Sequence, residues 1–215
     1  MIGGVTLCFD TVVSGGDIAI CRDEKVLALR FGDGKTSSSE TLLTGISELL
    51  EKTSVQRNEI SCVALIIGPG SYTGIRIGIA TALGLSASIG CYLRGVSSLE
   101  ILAEAGADQK SVVSGVWAGR NAIAYQEVST IKPNDVALMG TENFISEYAD
   151  RDCEVILDHK SYKSVETLMA PANFRTLPSG ENVARLILDF VSQNPWNEEA
   201  NNKLSPIYSR SLFDG

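Results

Sequence analysis

Gly68-Pro-Gly-Ser-Tyr-Thr-Gly-Ile-Arg-Ile-Gly78 is the stretch whose reading decides the fold. Cys62 to Ile67, just ahead of it, is a short and almost wholly apolar run of the kind an interior strand requires. A glycine loop then opens a helix. Thr73 stands where it can cap that helix near Gly74, which would leave several backbone N–H groups pointing out of the turn toward an anion or a partner's carbonyl. Spacing excludes two phosphate loops. A Walker A loop ends in Gly-Lys-Ser/Thr, but Gly74 is followed by Ile75 and the loop has no lysine. A dinucleotide fingerprint spaces its glycines G-x-G-x-x-G, whereas Gly68, Gly70 and Gly74 leave one residue too many before the third.

The helix that follows carries Gly74, Gly78, Ala82 and Ser86 at every fourth position, with Gly84 as a further interior glycine. Each helical glycine costs about 1 kcal/mol relative to alanine, so something must offset it. A face without side chains permits close approach of another backbone, either within the domain or from a second molecule. Ile75, Ile79 and Leu83 form one apolar row and Ile77, Ala80, Gly84 and Ala87 another, so the helix reads as covered on most sides.

Working outward, Val5 to Phe9, Asp17 to Cys21 and Val26 to Phe31 read as an antiparallel meander, joined by Ser14-Gly-Gly and Arg22-Asp-Glu-Lys. Ser37-x-x-Glu40 is a capping box for a helix with Leu42, Leu43, Ile46, Leu49 and Leu50 on its apolar stripe. After the glycine helix come a strand at Tyr92 to Val96 and a short helix at Ser97 to Ala105. The pattern then partly repeats. Ser111 to Trp117 and Ala122 to Val128 flank a Gly119-Arg-Asn turn, a third strand is predicted at Val136 to Met139, and a helix at Thr141 to Ala149. Glu154 to Asp158 reads as a strand, and Ser179 to Val191 as a capped helix with Val183, Ile187, Phe190 and Val191 on one face. Three antiparallel strands followed by alternating helices and parallel strands is the outline of a ribonuclease H-like unit. Two in tandem give an α/β, actin-like (ASKHA) fold with mixed sheets flanked by helices. The expected halves are residues 1–106, with the glycine loop, and residues 107–215, with the last helix packing back on the first half.

Composition narrows the function classes. Twenty-six acidic against eighteen basic side chains give a net charge of −8 over 215 residues, which disfavours direct binding of nucleic acid or anionic membrane. Met1-Ile-Gly-Gly-Val lacks the basic start of a signal peptide and no eighteen-residue apolar run occurs, so the cytoplasm is expected. Five cysteines, at 8, 21, 62, 91 and 153, form no C-x-x-C pair and read as buried reduced thiols. His159 is the single histidine, which argues against a His/Cys metal site and against a Ser-His-Asp triad. Beside Asp158 and Lys160 it reads as a surface loop residue without a role. Neither Ser14 nor Ser71 sits in a G-x-S-x-G elbow.

Gly68-Pro-Gly-Ser-Tyr-Thr-Gly-Ile-Arg-Ile-Gly78 closely resembles the signature G-P-G-S-F/Y-T-G-x-R-I-G of the bacterial TsaB proteins, also called YeaZ. Phe9-Asp-Thr, Gly95-Val-Ser-Ser-Leu and Pro206-Ile-Tyr-Ser-Arg are similar to further family motifs, so the resemblance runs end to end. The chain departs from the pattern at Ser38, where the family carries histidine, at Thr44, where it carries proline, and at Ala118-Gly119-Arg120, where it carries Asp-Ala-Arg. The resemblance implies a scaffold for threonylcarbamoyladenosine modification of transfer RNA, with no catalytic residue of its own. It implies pairing with a paralogous TsaD-like transferase that holds the metal, contact with a TsaE-like ATPase, a homodimer when alone, and only indirect contact with tRNA. No tightly bound cofactor or metal is expected, and ATP or ADP only at the partner interface. The alternative reading is an active actin-like ATPase, kinase or peptidase-related hydrolase.

Two groups of residues carry these expectations. Asp10 and Thr11 sit where an actin-like ATPase places its first phosphate loop, but Val12 and Val13 replace the glycine that lets backbone approach a phosphate. They are candidates for weak nucleotide binding only. The expected partner surface is half of a four-helix bundle, formed by Leu42, Leu43, Ile46 and Leu49 with Tyr72, Gly74, Ile75, Arg76, Gly78, Ile79 and Ala82. Arg76 can steer a phosphate or a partner carboxylate, or lay its stem along a buried helix.

Overall fold

The computed structural model describes residues 4–23, 25–32, 38–106, 111–129, 136–168, 170–177, 180–194 and 204–208. The first sheet contains β1 (Val5–Asp10), β2 (Asp17–Arg22), β3 (Lys25–Arg30), β4 (Ile60–Ile66) and β5 (Tyr92–Val96) in the order β3-β2-β1-β4-β5. The hairpin strands pair antiparallel, while β4 runs parallel to both β1 and β5. Helices α1 (Ser38–Thr53), α2 (Tyr72–Ile89) and α3 (Ser98–Glu104) interleave with them. The second sheet contains β6 (Ser111–Gly119), β7 (Ala122–Ser129), β8 (Ala137–Gly140), β9 (Glu154–Leu157) and β10 (Phe174–Thr176) in the order β10-β9-β6-β7-β8. With α4 (Thr141–Tyr148), α5 (His159–Glu166) and α6 (Val183–Gln193), it repeats the chain order and strand order of the first half. This duplication is the two-unit, mixed-sheet architecture expected from the sequence.

Strand alternation sorts the core. Central strands are covered on both faces, and successive side chains point to opposite sides. Val5, Leu7 and Phe9 of β1 and Val63 and Leu65 of β4 pack with Leu42, Ile46 and Leu49 of α1 and Ala82 of α2. Cys8, Ala64 and Ile66 point the other way and pack against Val183, Ala184 and Ile187 of α6. So α6, late in the chain, covers the first sheet. Conversely, Leu99 and Leu102 of α3 pack on Val112, Val116 and Ala124 of the second sheet. Each half therefore lends its last helix to the other, and a cut at Gly106 would part α3 from the sheet it covers.

Buried polar ties hold α6 in place. The Asp17 carboxylate accepts from Gly32 N at 2.8 Å and from Val183 N at 2.7 Å, and Asn182 Nδ2 donates to Arg30 O at 2.9 Å. Asn182 also caps the helix by accepting from Arg185 N at 3.0 Å, so the helix starts at Val183 rather than at Ser179.

Two elements were not expected. His159 is the first residue of α5 and not a loop residue; only Ser161 and Val165 of that helix are buried, too few to give a periodic signal. β10 is three residues long and, among the described residues, paired only to β9. The Ser37–Glu40 capping box lies outside the described residues.

Candidate functional site

The glycine loop is folded around the chain's own backbone. Ser71, not Thr73, caps α2: its hydroxyl accepts from Gly74 N at 3.1 Å, and Ile75 N donates to Ser71 O at 2.8 Å. The carbonyls of Gly68 and Pro69 accept from the backbone and side chain of Ser98 at 2.9 and 2.6 Å. The loop thus ties the start of α2 to the start of α3.

The small-residue face of α2 is occupied from within. A Cβ added to Gly74 would lie 1.9 Å from the Thr11 carbonyl oxygen, and one on Gly78 would lie 2.7 Å from Thr11 Oγ1 and 3.3 Å from Leu65. Ala82 is fully buried and Ile75 is 1% exposed. This corrects the expected partner surface: Gly74, Ile75, Gly78 and Ala82 pack against β1, β4 and the turn after Asp10, and offer nothing to a second molecule. Leu42, Ile46 and Leu49 are likewise in the chain's own core, and Ile79 is half-buried there. Periodicity marks the face that is dehydrated; here the first sheet dehydrates it.

What α1 and α2 leave outward is a different set. Leu43 is 57% exposed, Tyr72 53% and Leu83 50%. Arg76, Ala80, Gly84 and Ala87 are exposed as well. Tyr72, Arg76, Ala80, Leu83 and Gly84, and Ala87 follow at helical spacing along one face. Among the described residues a Cβ on Gly84 would meet nothing within 4 Å, so their packing gives no reason for a glycine there. The row Ile77, Ala80, Gly84 and Ala87, which reads from the sequence as covered, is split: Ile77 packs on the core, and the other three face outward.

Asp10 and Thr11 are committed elsewhere. Asp10 is fully buried, and its carboxylate accepts from Val12 N at 2.8 Å, Val13 N at 3.1 Å and the Ser14 hydroxyl at 2.8 Å, with Ser14 N as a further donor. Thr11 Oγ1 donates to Gly74 O at 2.7 Å. Both candidate nucleotide ligands thus serve the turn and the helix. Beyond them, between the halves, lies a cleft of about 360 Å³ whose walls include Val12, Gly70 and Ser71 on one side and Trp117, Asp158 and Lys160 on the other. Asp158 accepts from Ser161 N and Trp117 N, each at 3.1 Å, and burial pushes its carboxyl above the ordinary range against those hydrogen bonds. Lys160 Nζ stands 5.3 Å over the Trp117 ring.

Arg76 neither enters the cleft nor lies along a buried stem. Its guanidinium is 3.9 Å from the Tyr72 ring centre and donates to the Tyr72 hydroxyl. Cys8, Cys21, Cys62 and Cys91 are buried thiols, and burial raises Cys62 to about 11. Among the described residues no group of three His, Cys, Asp or Glu is placed to hold a metal ion, and no helix is long and apolar enough to cross a membrane.

Comparison with known proteins gives the relationship. The family model described as "TsaD: tRNA N6-adenosine threonylcarbamoyltransferase" matches residues 34–180. The tRNA threonylcarbamoyladenosine biosynthesis protein TsaB of Bacillus subtilis is 31% identical over 119 residues, covering 55% of this chain and 52% of that protein. The Escherichia coli protein of the same name is 31% identical over 116 residues, covering 54% and 49%. The chain thus spans about half the length of the curated relatives it matches. YeaZ from Pseudomonas aeruginosa superposes with a TM-score of 0.73 at 18% identity, covering 95% of this chain and 99% of that one, which shows a shared fold. The chain therefore belongs to the family described as TsaD: tRNA N6-adenosine threonylcarbamoyltransferase, and over about half its length it is similar to proteins named TsaB.

Proposed function

We propose that this protein is a scaffold subunit for threonylcarbamoyladenosine modification of transfer RNA, and that it docks a paralogous TsaD-like transferase on the outward faces of α1 and α2. The observation that carries this reading is Gly84. It costs about 1 kcal/mol in mid-helix, a Cβ there would meet no other part of the described residues within 4 Å, and it sits beside exposed Leu83 and Ala87 with Leu43 on the neighbouring helix. A helix of a second molecule could approach that face closely and recover the cost. The engagement of Asp10 and Thr11 with their own backbone supports a structural rather than catalytic role for this chain. The TsaE-like ATPase then joins the assembled pair, nucleotide is held at the interface, tRNA contact falls to the partner, and the same two-helix surface closes a homodimer when the partner is absent. The setting is the cytoplasm.

Calorimetric titration tests it. Binding of the TsaD-like paralogue without ATP turnover by this chain alone is the expected result. Tight, magnesium-dependent ATP binding with turnover by the isolated chain would favour the actin-like enzyme instead.

A further inference from the structure

We propose that Leu204–Tyr208 is a strap that fixes the first turn of α2 and completes the N-terminal end of the outward stripe as part of the docking surface. The second half of this proposal rests on the function proposed above; the first does not.

The strap begins on the face of the first sheet opposite α6. Helix α6 lies on the Cys8 and Ala64 face, whereas Leu204 packs with the cluster of Leu7, Leu65 and Ala82 on the α1 and α2 face. The strap then meets the glycine loop. Ile207 N donates to Ile67 O at 2.8 Å, at the end of β4. A Cβ on Gly68 would lie 2.2 Å from Ile207 O and 3.1 Å from Ile207 C, so a side chain there would expel the strap backbone. Gly68 also holds φ at +112°, a conformation that a side chain disfavours. The first glycine of the loop is therefore explained by the strap, with no phosphate required.

The strap ends on α2. The Tyr208 ring lies 5.2 Å from that of Tyr72 at a tilted angle, and Arg76 covers Tyr72 from 3.9 Å. Tyr72 and Tyr208 keep 53% and 43% of their surface exposed. Tyr72 and Arg76 begin the row that continues through Ala80, Gly84 and Ala87, so Tyr208 adds to that row an aromatic side chain from far along the chain. Aromatic side chains with arginine are the residue types most enriched at the centres of protein interfaces. The strap converts a bare helix end into such a patch and holds its rotamers before any partner arrives.

Two variants of the full chain test this. Ile207→Pro removes the donor to Ile67 O, and Tyr208→Ala removes a half-exposed ring. Amide exchange in residues 75–79 of α2 should quicken about tenfold in Ile207→Pro while β4 keeps its protection. Unaltered protection there overturns the strap. Should Ile207→Pro fail to fold, the same measurement on Tyr208→Ala decides, with faster exchange for the strap and unchanged exchange against it. Tyr208→Ala should also weaken binding of the TsaD-like paralogue about tenfold at unchanged Tm. Equal affinity overturns the docking role. Failure of the wild-type chain to bind the paralogue overturns the docking role together with the function proposed above, and exchange alone then judges whether the strap fixes α2.

Discussion

Thr11 and Gly74 are in direct contact: the Thr11 hydroxyl donates to the Gly74 carbonyl at 2.7 Å, and a Cβ on Gly74 would stand 1.9 Å from the Thr11 carbonyl oxygen. This contact joins the end of β1 to the start of α2 and closes the loop against the sheet. It also explains why a glycine stands in the first turn of the helix at the expense of its intrinsic stability.

Gly74→Ala should accordingly lower unfolding free energy by about 3 kcal/mol or more, because the clash is with backbone that cannot rotate away. Gly84→Ala, in open space on the same helix, should raise it by about 1 kcal/mol. Urea denaturation of the two variants checks the contrast; similar effects would show that the glycines are interchangeable.

Asp10→Ala strips the turn of the acceptor for Val12 N, Val13 N and Ser14 N. Leaving three partly buried donors unpaired should cost about 2–4 kcal/mol. The checking measurement is the shift in urea midpoint, compared with Asp10→Asn, which keeps one acceptor oxygen and should lose less.

Asp17 ties β2 to α6, and burial raises its carboxyl above the ordinary range although Gly32 N and Val183 N pull the other way. A carboxyl with a native pKa above its unfolded one contributes stability that is fully present below about 4 and is lost as the pH climbs through the native value. The stability difference between wild type and Asp17→Asn should therefore widen as the pH falls from neutrality toward about 4. A difference that narrows over that range would contradict the assignment.

Leu42→Ala removes a side chain that is 1% exposed and should cost about 2–5 kcal/mol, whereas Leu43→Ala, at 57% exposed, should stay within about 0.5 kcal/mol. Thermal melts of the pair check which side of α1 faces the core.

Much of this was legible in the sequence because strands and long helices write their period into it. The meander of β1 to β3, the apolar β4, the α1 stripe and the hairpin around Arg120 and Asn121 are all of that kind. What covers the small face was not resolvable: Gly74, Gly78 and Ala82 announce close approach but not by what, and for Gly74 and Gly78 the approaching residue is Thr11. Helix α5 left no trace because two buried residues make no stripe, and the sequence does not separate Ser71 from Thr73 as the cap because both carry an acceptor hydroxyl two residues apart. The placement of α3 on the second sheet depends on tertiary arrangement that no local pattern carries.

The central claim is that the outward face of α1 and α2 receives a paralogous subunit, and Leu83→Asp tests it most directly. Leu83 is 50% exposed, so the charge should leave the fold and Tm unchanged. In calorimetric titration against the TsaD-like paralogue, the account predicts binding by the wild type and at least about a hundredfold loss in Leu83→Asp. Equal affinity of the two proteins would contradict it.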